Sequence, residues 1–355
     1  MTTSPADALW SLSGRAPLTV FESICFNLFL IVIAVHILIF AYDLFKSDRF
    51  VVKGKHVYLT GGSVGLGRGV AIELAKKGAH VTIVARKKAP LEETVELMKK
   101  NALNPETQKF AYVCADLTDK TQASRALDEA CAPFDGQAPE VIMTCAGMAL
   151  PKLFVDYEPE DFERNMQLNY FGTLYTIHDG VKRMVRDGVK GKVVLVSSTM
   201  GMVAFAGYGA YTPTKYALTG LAETLRNELL LYGISTHIYY PGTMFTPGYE
   251  TENLTKPQIT REIEGKEGLT PEVAAKGMLK GLSKGYYAVT TDFDTKFLRA
   301  TKKGVTPYSN VILEFWLNAI GPFATAQVRW EFDTKVKNFA KKMAKETRTD
   351  TKKDD

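Results

Sequence analysis

Between Lys53 and Val289, short apolar runs alternate with stretches of helical periodicity, and this alternation constrains the fold more than any other feature of the chain. Strand-like runs occur at His56–Thr60, His80–Ala85, Phe110–Cys114, Val141–Cys145, Val193–Ser197 and Ser235–Tyr240. Helical periodicity intervenes at Val70–Lys77 and Leu91–Lys100. Strands that alternate with helices close as βαβ units, so the expectation is an α/β domain with a doubly wound, mostly parallel sheet. A chain of 355 residues with 23% charged side chains and a net charge of +5 is neither disordered nor suited to a nucleic-acid partner. The four cysteines, Cys25, Cys114, Cys131 and Cys145, form no CxxC pair, and the five histidines do not cluster. Unpaired thiols in a reducing compartment and no metal site are therefore expected.

The first strand runs into Thr60-Gly61-Gly62-Ser63-Val64-Gly65-Leu66-Gly67. Glycines there allow a tight turn and close approach to a pyrophosphate, and the next helix offers free N–H groups at its positive end. Alone, such a run is also an ordinary turn. Between a strand and a helix it marks a Rossmann-type dinucleotide site, with Gly61, Ser63, Val64, Gly65, Leu66 and Gly67 as the candidate cradle. At the end of the second strand stand Arg86 and Lys87, where an acidic residue would bind the ribose hydroxyls of NAD. Basic residues there pair with a 2′-phosphate, which points to NADPH; the bland alternative is a solvated basic turn. Asp116 and Leu117 follow the third strand, where Asp116 is placed either to bond the adenine amino group or to cap a helix.

The chemistry lies further on. Tyr211 and Lys215, in YTPTK, stand four residues apart and share a helix face. A nearby ammonium stabilises a phenolate, making the phenol a usable acid or base. Ser198 ends a strand upstream, where its hydroxyl can hold a carbonyl oxygen, and Asn169 lies in a helical stretch. Each has a bland reading when taken alone; their order along the chain, behind the glycine-rich turn, is the specific signal.

From Lys53 to Val289 the chain resembles the short-chain dehydrogenase/reductase family. The resemblance is carried by TGGSVGLG at Thr60–Gly67, NYFG at Asn169–Gly172, VSS at Val196–Ser198, YTPTK at Tyr211–Lys215 and Pro241-Gly242. It implies a proton-relay tetrad of Asn169, Ser198, Tyr211 and Lys215. Tyr211 would donate a proton to the carbonyl oxygen while a nicotinamide delivers hydride, and Lys215 would also bind the nicotinamide ribose. Ser198 would orient the carbonyl, Asn169 would hold a water linking Lys215 to solvent, and Thr243 would hold the carboxamide. Homodimers or homotetramers built on the helices of Asn169 and Tyr211 are a further implication. The family's NNAG reads Thr144-Cys145-Ala146-Gly147 here, which leaves the hydrogen bonds between those strands open. Cys145–Ala149, Tyr211–Leu229 and Tyr240–Pro257 resemble more narrowly the branch that reduces a long-chain 2-amino-3-ketone with NADPH at the endoplasmic reticulum. Reductases of a sterol, a retinoid or a 3-ketoacyl-CoA remain alternatives, as does a non-catalytic dinucleotide-binding scaffold. Gly248–Gly268 carries Glu250, Glu252, Glu262, Glu264 and Glu267; these either face the substrate ammonium or coat a solvated lid.

The ends complete the organisation. Ser23–Phe40 (SICFNLFLIVIAVHILIF) carries no formal charge and is of membrane-spanning length. Lys46, Arg49, Lys53 and Lys55 follow it, and only Arg15 precedes it, so the expected order is a lumenal segment 1–22, a transmembrane anchor 23–42 and a cytosolic reductase domain 53–289. A cleaved signal peptide and a buried helix are the rival readings. Ser309–Val328 is apolar but contains Glu314, so a helix lying on the membrane within an extension 290–334 is expected, with a second span as the alternative. From 335 to 355 the tail is charged and expected to be flexible. Its Lys352-Lys353 matches a dilysine retrieval signal of the endoplasmic-reticulum membrane.

Overall fold

The computed structural model describes residues 20–44, 49–302, 304 and 307–351. The chain divides into two compact units, Met1–Asp48 and Arg49–Asp355. In the first, a helix, α1 (Val20–Leu44), contains the expected anchor. Ile24, Leu28, Phe29, Ile31, Ile37 and Leu38 on it are all exposed. Its apolar portion with described side chains, Glu22–Ala34, is shorter than a membrane span. Residues 1–19, Lys46 and Lys352-Lys353 lie outside the described residues.

The second unit is built on β1 (His56–Thr60), α2 (Gly65–Lys76), β2 (His80–Ala85), α3 (Lys88–Lys100), β3 (Phe110–Cys114), α4 (Lys120–Cys131) and β4 (Val141–Thr144). It continues with α5 (Pro159–Met166), α6 (Gly172–Arg186), β5 (Lys192–Val196), α7 (Thr212–Glu228) and β6 (Ser235–Tyr240). Last come α8 (Pro247–Asn253), α9 (Gln258–Glu264), α10 (Pro271–Ser283), β7 (Ala288–Thr290), α11 (Phe293–Lys302) and α12 (Val311–Thr351). The seven strands pair in the order β3-β2-β1-β4-β5-β6-β7, every pairing parallel. The order reverses between β1 and β4, and the crevice at that reversal is where open α/β sheets bind ligands.

Every residue of β1 and β4 is buried, as a sheet covered on both faces requires. One core layer joins Val57 and Leu59 to Val70, Leu74, Met98 and Met278 from α2, α3 and α10. The other joins Tyr58 and Ile142 to Leu127, Ile177 and Leu218 from α4, α6 and α7. Cutting a fully buried Leu74 to alanine in such a core costs about 2–5 kcal/mol. The expected strands are present, with β4 one residue shorter and β5 displaced by one. Helices α2 and α3 begin earlier than their apolar periodicity, because their first turns carry glycine or exposed lysine. The three-residue β7 is too short to show a period in sequence.

A π turn, Gln167–Phe171, connects α5 to α6. Upstream, Glu158 and Asp161 form a reciprocal capping box with Pro159 in the first turn, fixing where α5 starts.

The C-terminal helix α12 runs unbroken through residue 335, so the charged segment to Thr351 is helical. Lysine is its commonest residue, with five between 335 and 351, and lysine is a strong helix former. Glu314 is not set against lipid: it is 1% exposed and paired with Arg299 of α11, itself 3% exposed. That removes the objection to its place in an apolar helix. Among the described residues, Val311–Met343 has the length and composition to cross a membrane. Yet α12 meets the domain at Glu314 and again where Phe332 packs on Phe205 and Lys335 donates to the Glu262 carbonyl. Those contacts are about 30 Å apart along the helix axis, so in this arrangement α12 lies along the domain.

Candidate active site

The glycine-rich turn leaves β1 at its carboxyl end, beside β4. Gly61 has φ +70°, and a Cβ there would sit 2.6 Å from the Ala146 nitrogen. A Cβ on Gly67 would meet the Gly61 carbonyl oxygen at 2.2 Å. Backbone thus approaches backbone at both positions, so neither has room for a side chain. Ser63 holds the loop through its carbonyl, which accepts from Arg68 Nε at 2.9 Å and from the Thr94 hydroxyl. The strand junction left open by Cys145 is closed by backbone. The Cys145 N–H donates to the Thr60 carbonyl at 3.2 Å and the Ala146 N–H to the Thr60 hydroxyl at 3.4 Å.

Arg86 and Lys87 stand exposed between β2 and α3, and among the described residues neither makes an ion pair. Asp116 does not cap α4; Asp119 does, accepting from the Thr121 and Gln122 N–H groups. Asp116 instead spends one carboxylate oxygen on the Thr118 N–H and hydroxyl, at 3.0 and 2.8 Å. Leu117 is buried beneath it.

Across the sheet reversal, α7 presents Tyr211 and Lys215 on one face as their spacing requires. The Lys215 ammonium lies 5.4 Å from the Tyr211 ring centroid and donates to the Val196 carbonyl at 3.1 Å. Ser197 anchors the same turn by donating to the Lys215 carbonyl. Ser198 accepts the Met200 N–H at 3.1 Å, so its own O–H stays free to donate. That hydroxyl meets the Tyr211 phenol and favours its ionised form. Burial outweighs it, and with Glu252 it holds the phenol above its ordinary range, so Tyr211 is protonated at neutral pH. Burial pushes the Lys215 ammonium down to about 8 and the neighbouring Cys145 thiol up to about 12.

Asn169, wholly buried in the π turn, spends both amide hydrogens on the Met148 carbonyl and the Thr214 hydroxyl, at 2.9 and 3.1 Å. Its Oδ1 accepts the Met148 N–H at 2.8 Å and keeps a second lone pair. The point where Gly147 would carry a Cβ lies 3.2 Å from that Oδ1 and 3.6 Å from Lys215 Nζ. Asn169, Ser198, Tyr211 and Lys215 therefore surround one crevice. The Thr243 hydroxyl turns away from it, donating to Glu264 at 3.0 Å.

A second group of side chains, unforeseen as a unit, adjoins Tyr211. Tyr208 packs on it with ring centroids 5.9 Å apart and donates to Glu252 at 2.5 Å. Lys256 pairs with Glu252 at 3.0 Å and with Glu264 at 2.5 Å. The four-residue spacing of Glu252 and Lys256 was the one visible hint. A cavity of about 290 Å³ bounded by His56, His80, Lys109 and Phe134 lies at the opposite, amino ends of the strands, away from this chemistry.

Residues 55–257 match the model of the short chain dehydrogenase family. The 3-ketodihydrosphingosine reductase of Cryptococcus neoformans is 38% identical over 304 residues, 85% of this chain and 90% of its own. That of Dictyostelium discoideum is 37% identical over 74% of this chain and 82% of its own. The bovine protein of the same name is 34% identical, covering 76% and 80%. A solved short chain dehydrogenase from Mycobacterium paratuberculosis, bound to NAD, has a TM-score of 0.60 at 25% identity, over 69% of this chain and 99% of that one. With the family model matching more than half of its length and relatives this similar over most of it, the chain belongs to the short-chain dehydrogenase family of oxidoreductases.

Proposed function

We propose that the protein is an NADPH-dependent 3-ketodihydrosphingosine reductase, converting the 3-ketone to the secondary alcohol of dihydrosphingosine. The observation that carries this reading is the convergence of Asn169, Ser198, Tyr211 and Lys215 on one crevice beside a glycine-rich turn, in a chain whose relatives bear that name. The dinucleotide would be held at Gly61, Ser63, Val64, Gly65, Leu66 and Gly67, where the close backbone approaches leave room for a pyrophosphate. Arg86 and Lys87, exposed and without ion pairs among the described residues, suit a 2′-phosphate, and Asp116 and Leu117 would bound the adenine. Thr243 would reach the carboxamide through its backbone, since its hydroxyl is engaged. When bound, the cofactor supplies a hydride to the carbonyl carbon.

The protein's own groups handle the oxygen. Ser198 turns its O–H from the Tyr211 phenol to the carbonyl. As the C=O π bond opens, Tyr211 gives its proton to the oxygen, and its high pKa has kept that proton in place at neutral pH. The resulting phenolate faces the Lys215 ammonium. The ammonium lies 5.4 Å from the ring centroid, close enough to offset part of the cost of a buried phenolate. A water over Gly147, between Asn169 Oδ1 and Lys215 Nζ, would return the proton from solvent.

The reading extends to the endoplasmic-reticulum membrane, with the reductase domain in the cytosol. The exposed apolar side chains of α1 support an anchor over 23–42. Exposed Phe315, Trp316, Ile320, Phe323 and Trp330 on α12 support a helix lying on the bilayer, where a lipid ketone is concentrated. The test is turnover of 3-ketodihydrosphingosine in detergent or vesicles with NADPH and with NADH, following nicotinamide absorbance and the lipid product. Turnover with NADPH is expected; activity only on a sterol, retinoid or acyl-CoA ketone would overturn the substrate assignment.

A further inference from the structure

The five glutamates of Gly248–Gly268 divide. Glu250, Glu262 and Glu267 are exposed, whereas the Glu252 and Glu264 side chains are only 15% and 10% exposed. The two inward carboxylates, with Tyr208 and Tyr249, enclose an alkylammonium, that of Lys256. It sits 3.0 and 2.5 Å from the carboxylates and 4.2 Å over the Tyr249 ring. The enclosure is thus shaped for a primary ammonium on a carbon chain.

Lys256 does not balance it. Two carboxylates and one ammonium leave a net charge of −1. The oxygens show where that charge is open. Glu264 Oε1 takes the Thr243 hydroxyl, and its Oε2 takes Lys256 and Tyr208. Glu252 Oε1 takes Tyr208 and Lys256. Glu252 Oε2 receives no hydrogen bond among the described residues. The excess charge stands one aromatic ring from Tyr211, since Tyr208 touches both. In 3-ketodihydrosphingosine the amine is on the carbon next to the ketone. A carbonyl at Tyr211 therefore brings its ammonium to this neighbourhood.

We propose that Glu252 is the specificity residue for the substrate amine, receiving its ammonium at Oε2 beside the Tyr208–Lys256–Glu264 cluster. This rests on the reading of the chain as an aminoketone reductase. It carries a kinetic consequence. Glu252 opposes ionisation of Tyr211, so a cation docked on Glu252 cancels that effect and makes the phenol a better acid only when the amine is present.

The experiment compares kcat/KM for 3-ketodihydrosphingosine and for a 3-ketone of equal chain length lacking the amine. Glu252→Gln keeps the volume and takes the cluster from −1 to neutral. It is expected to lower the aminoketone value at least thirtyfold and to leave the neutral ketone unchanged or raised, because the lost charge no longer opposes ionisation of Tyr211. Glu250→Gln, on the exposed side, should change neither. Glu252→Asp, which keeps the charge but withdraws it by one methylene, gives a second reading should the Gln variant not fold. Its selective loss is expected to be about tenfold. Equal losses on both ketones, or none on either, would overturn the assignment, because a merely structural Glu252 affects both alike. Absence of aminoketone turnover by the unaltered protein would overturn the substrate reading along with it. Turnover by the unaltered protein without a selective loss in the variants overturns only the role of Glu252.

Discussion

The ion pair between Arg299 and Glu314 is a direct test of how α12 is held on the domain. Both side chains are almost wholly buried, and Glu314 also accepts the Ser309 and Asn310 N–H groups at the head of α12. Glu314→Gln keeps an oxygen for those two donors but leaves the guanidinium as an uncompensated buried charge. Breaking one side of a buried pair costs about 3–5 kcal/mol. The unfolding entropy of a unit of roughly 300 residues is about 0.6 kcal/mol per kelvin, so the midpoint of thermal unfolding should fall by about 5–8 °C. Arg299→Met in the Glu314→Gln background removes the stranded charge while keeping the acceptor. It should recover most of the loss, since replacing both members of such a pair is close to neutral. The assay is a double-mutant cycle followed by circular dichroism in detergent. A single-variant shift below 1 °C, or a double variant that falls by the sum of the singles, would refute the reasoning.

Five further outcomes follow from the site and the core. Tyr211→Phe should lower kcat by about 10²–10⁴-fold with little change in cofactor Kd, the range expected for loss of a general acid; unchanged turnover would remove Tyr211 from the reaction. Lys215→Met should cost roughly a hundredfold in kcat, the low end of the range for loss of acid–base assistance. Because burial sets the Lys215 pKa at about 8, kcat/KM should decline as pH rises through that value, and a flat profile to pH 9.5 would contradict it. Arg86→Asp should reverse the coenzyme preference measured as the ratio of kcat/KM for NADPH and NADH. Finally, burial lowers His56 to about 3 and His237 to about 4, so the unfolded chain binds more protons below the ordinary histidine value. Stability should then fall as pH drops from about 6.5 to about 4, and His56→Asn with His237→Asn should flatten that slope in thermal scans.

The strands were legible because a sheet covered on both faces demands unbroken apolar runs, and His56–Thr60 or Val141–Thr144 can serve little else. Gly61 was legible because a side chain there collides with the Ala146 backbone. The family resemblance named the tetrad residue by residue, while spacing alone showed only that Tyr211 and Lys215 share a helix face. Neither could name the cluster beside it. Tyr208 and Glu264 lie 56 positions apart and meet only once α8 and α9 have folded over the crevice. Glu314 read as a misfit in an apolar stretch because its partner, Arg299, belongs to another helix. The depressed pKa of Lys215 was equally hidden: spacing shows the neighbour of a phenol but not the burial of both.

The π turn at Gln167–Phe171 has a consequence in register. A turn of this kind holds one residue more than the α-helix around it, and the surplus is spent where Asn169 clamps Met148 and Thr214. Deleting any single residue between 167 and 171 would let α5 and α6 merge into one regular helix. That helix would be sounder as a helix, yet everything on one side of the deletion would be turned by about 100° and shifted by about 1.5 Å against the other. Either the α6 face now packed on Ile142 or the amide now aimed at Gly147 must then leave its place. Helical regularity and the shape of the crevice are thus mutually exclusive over these five positions.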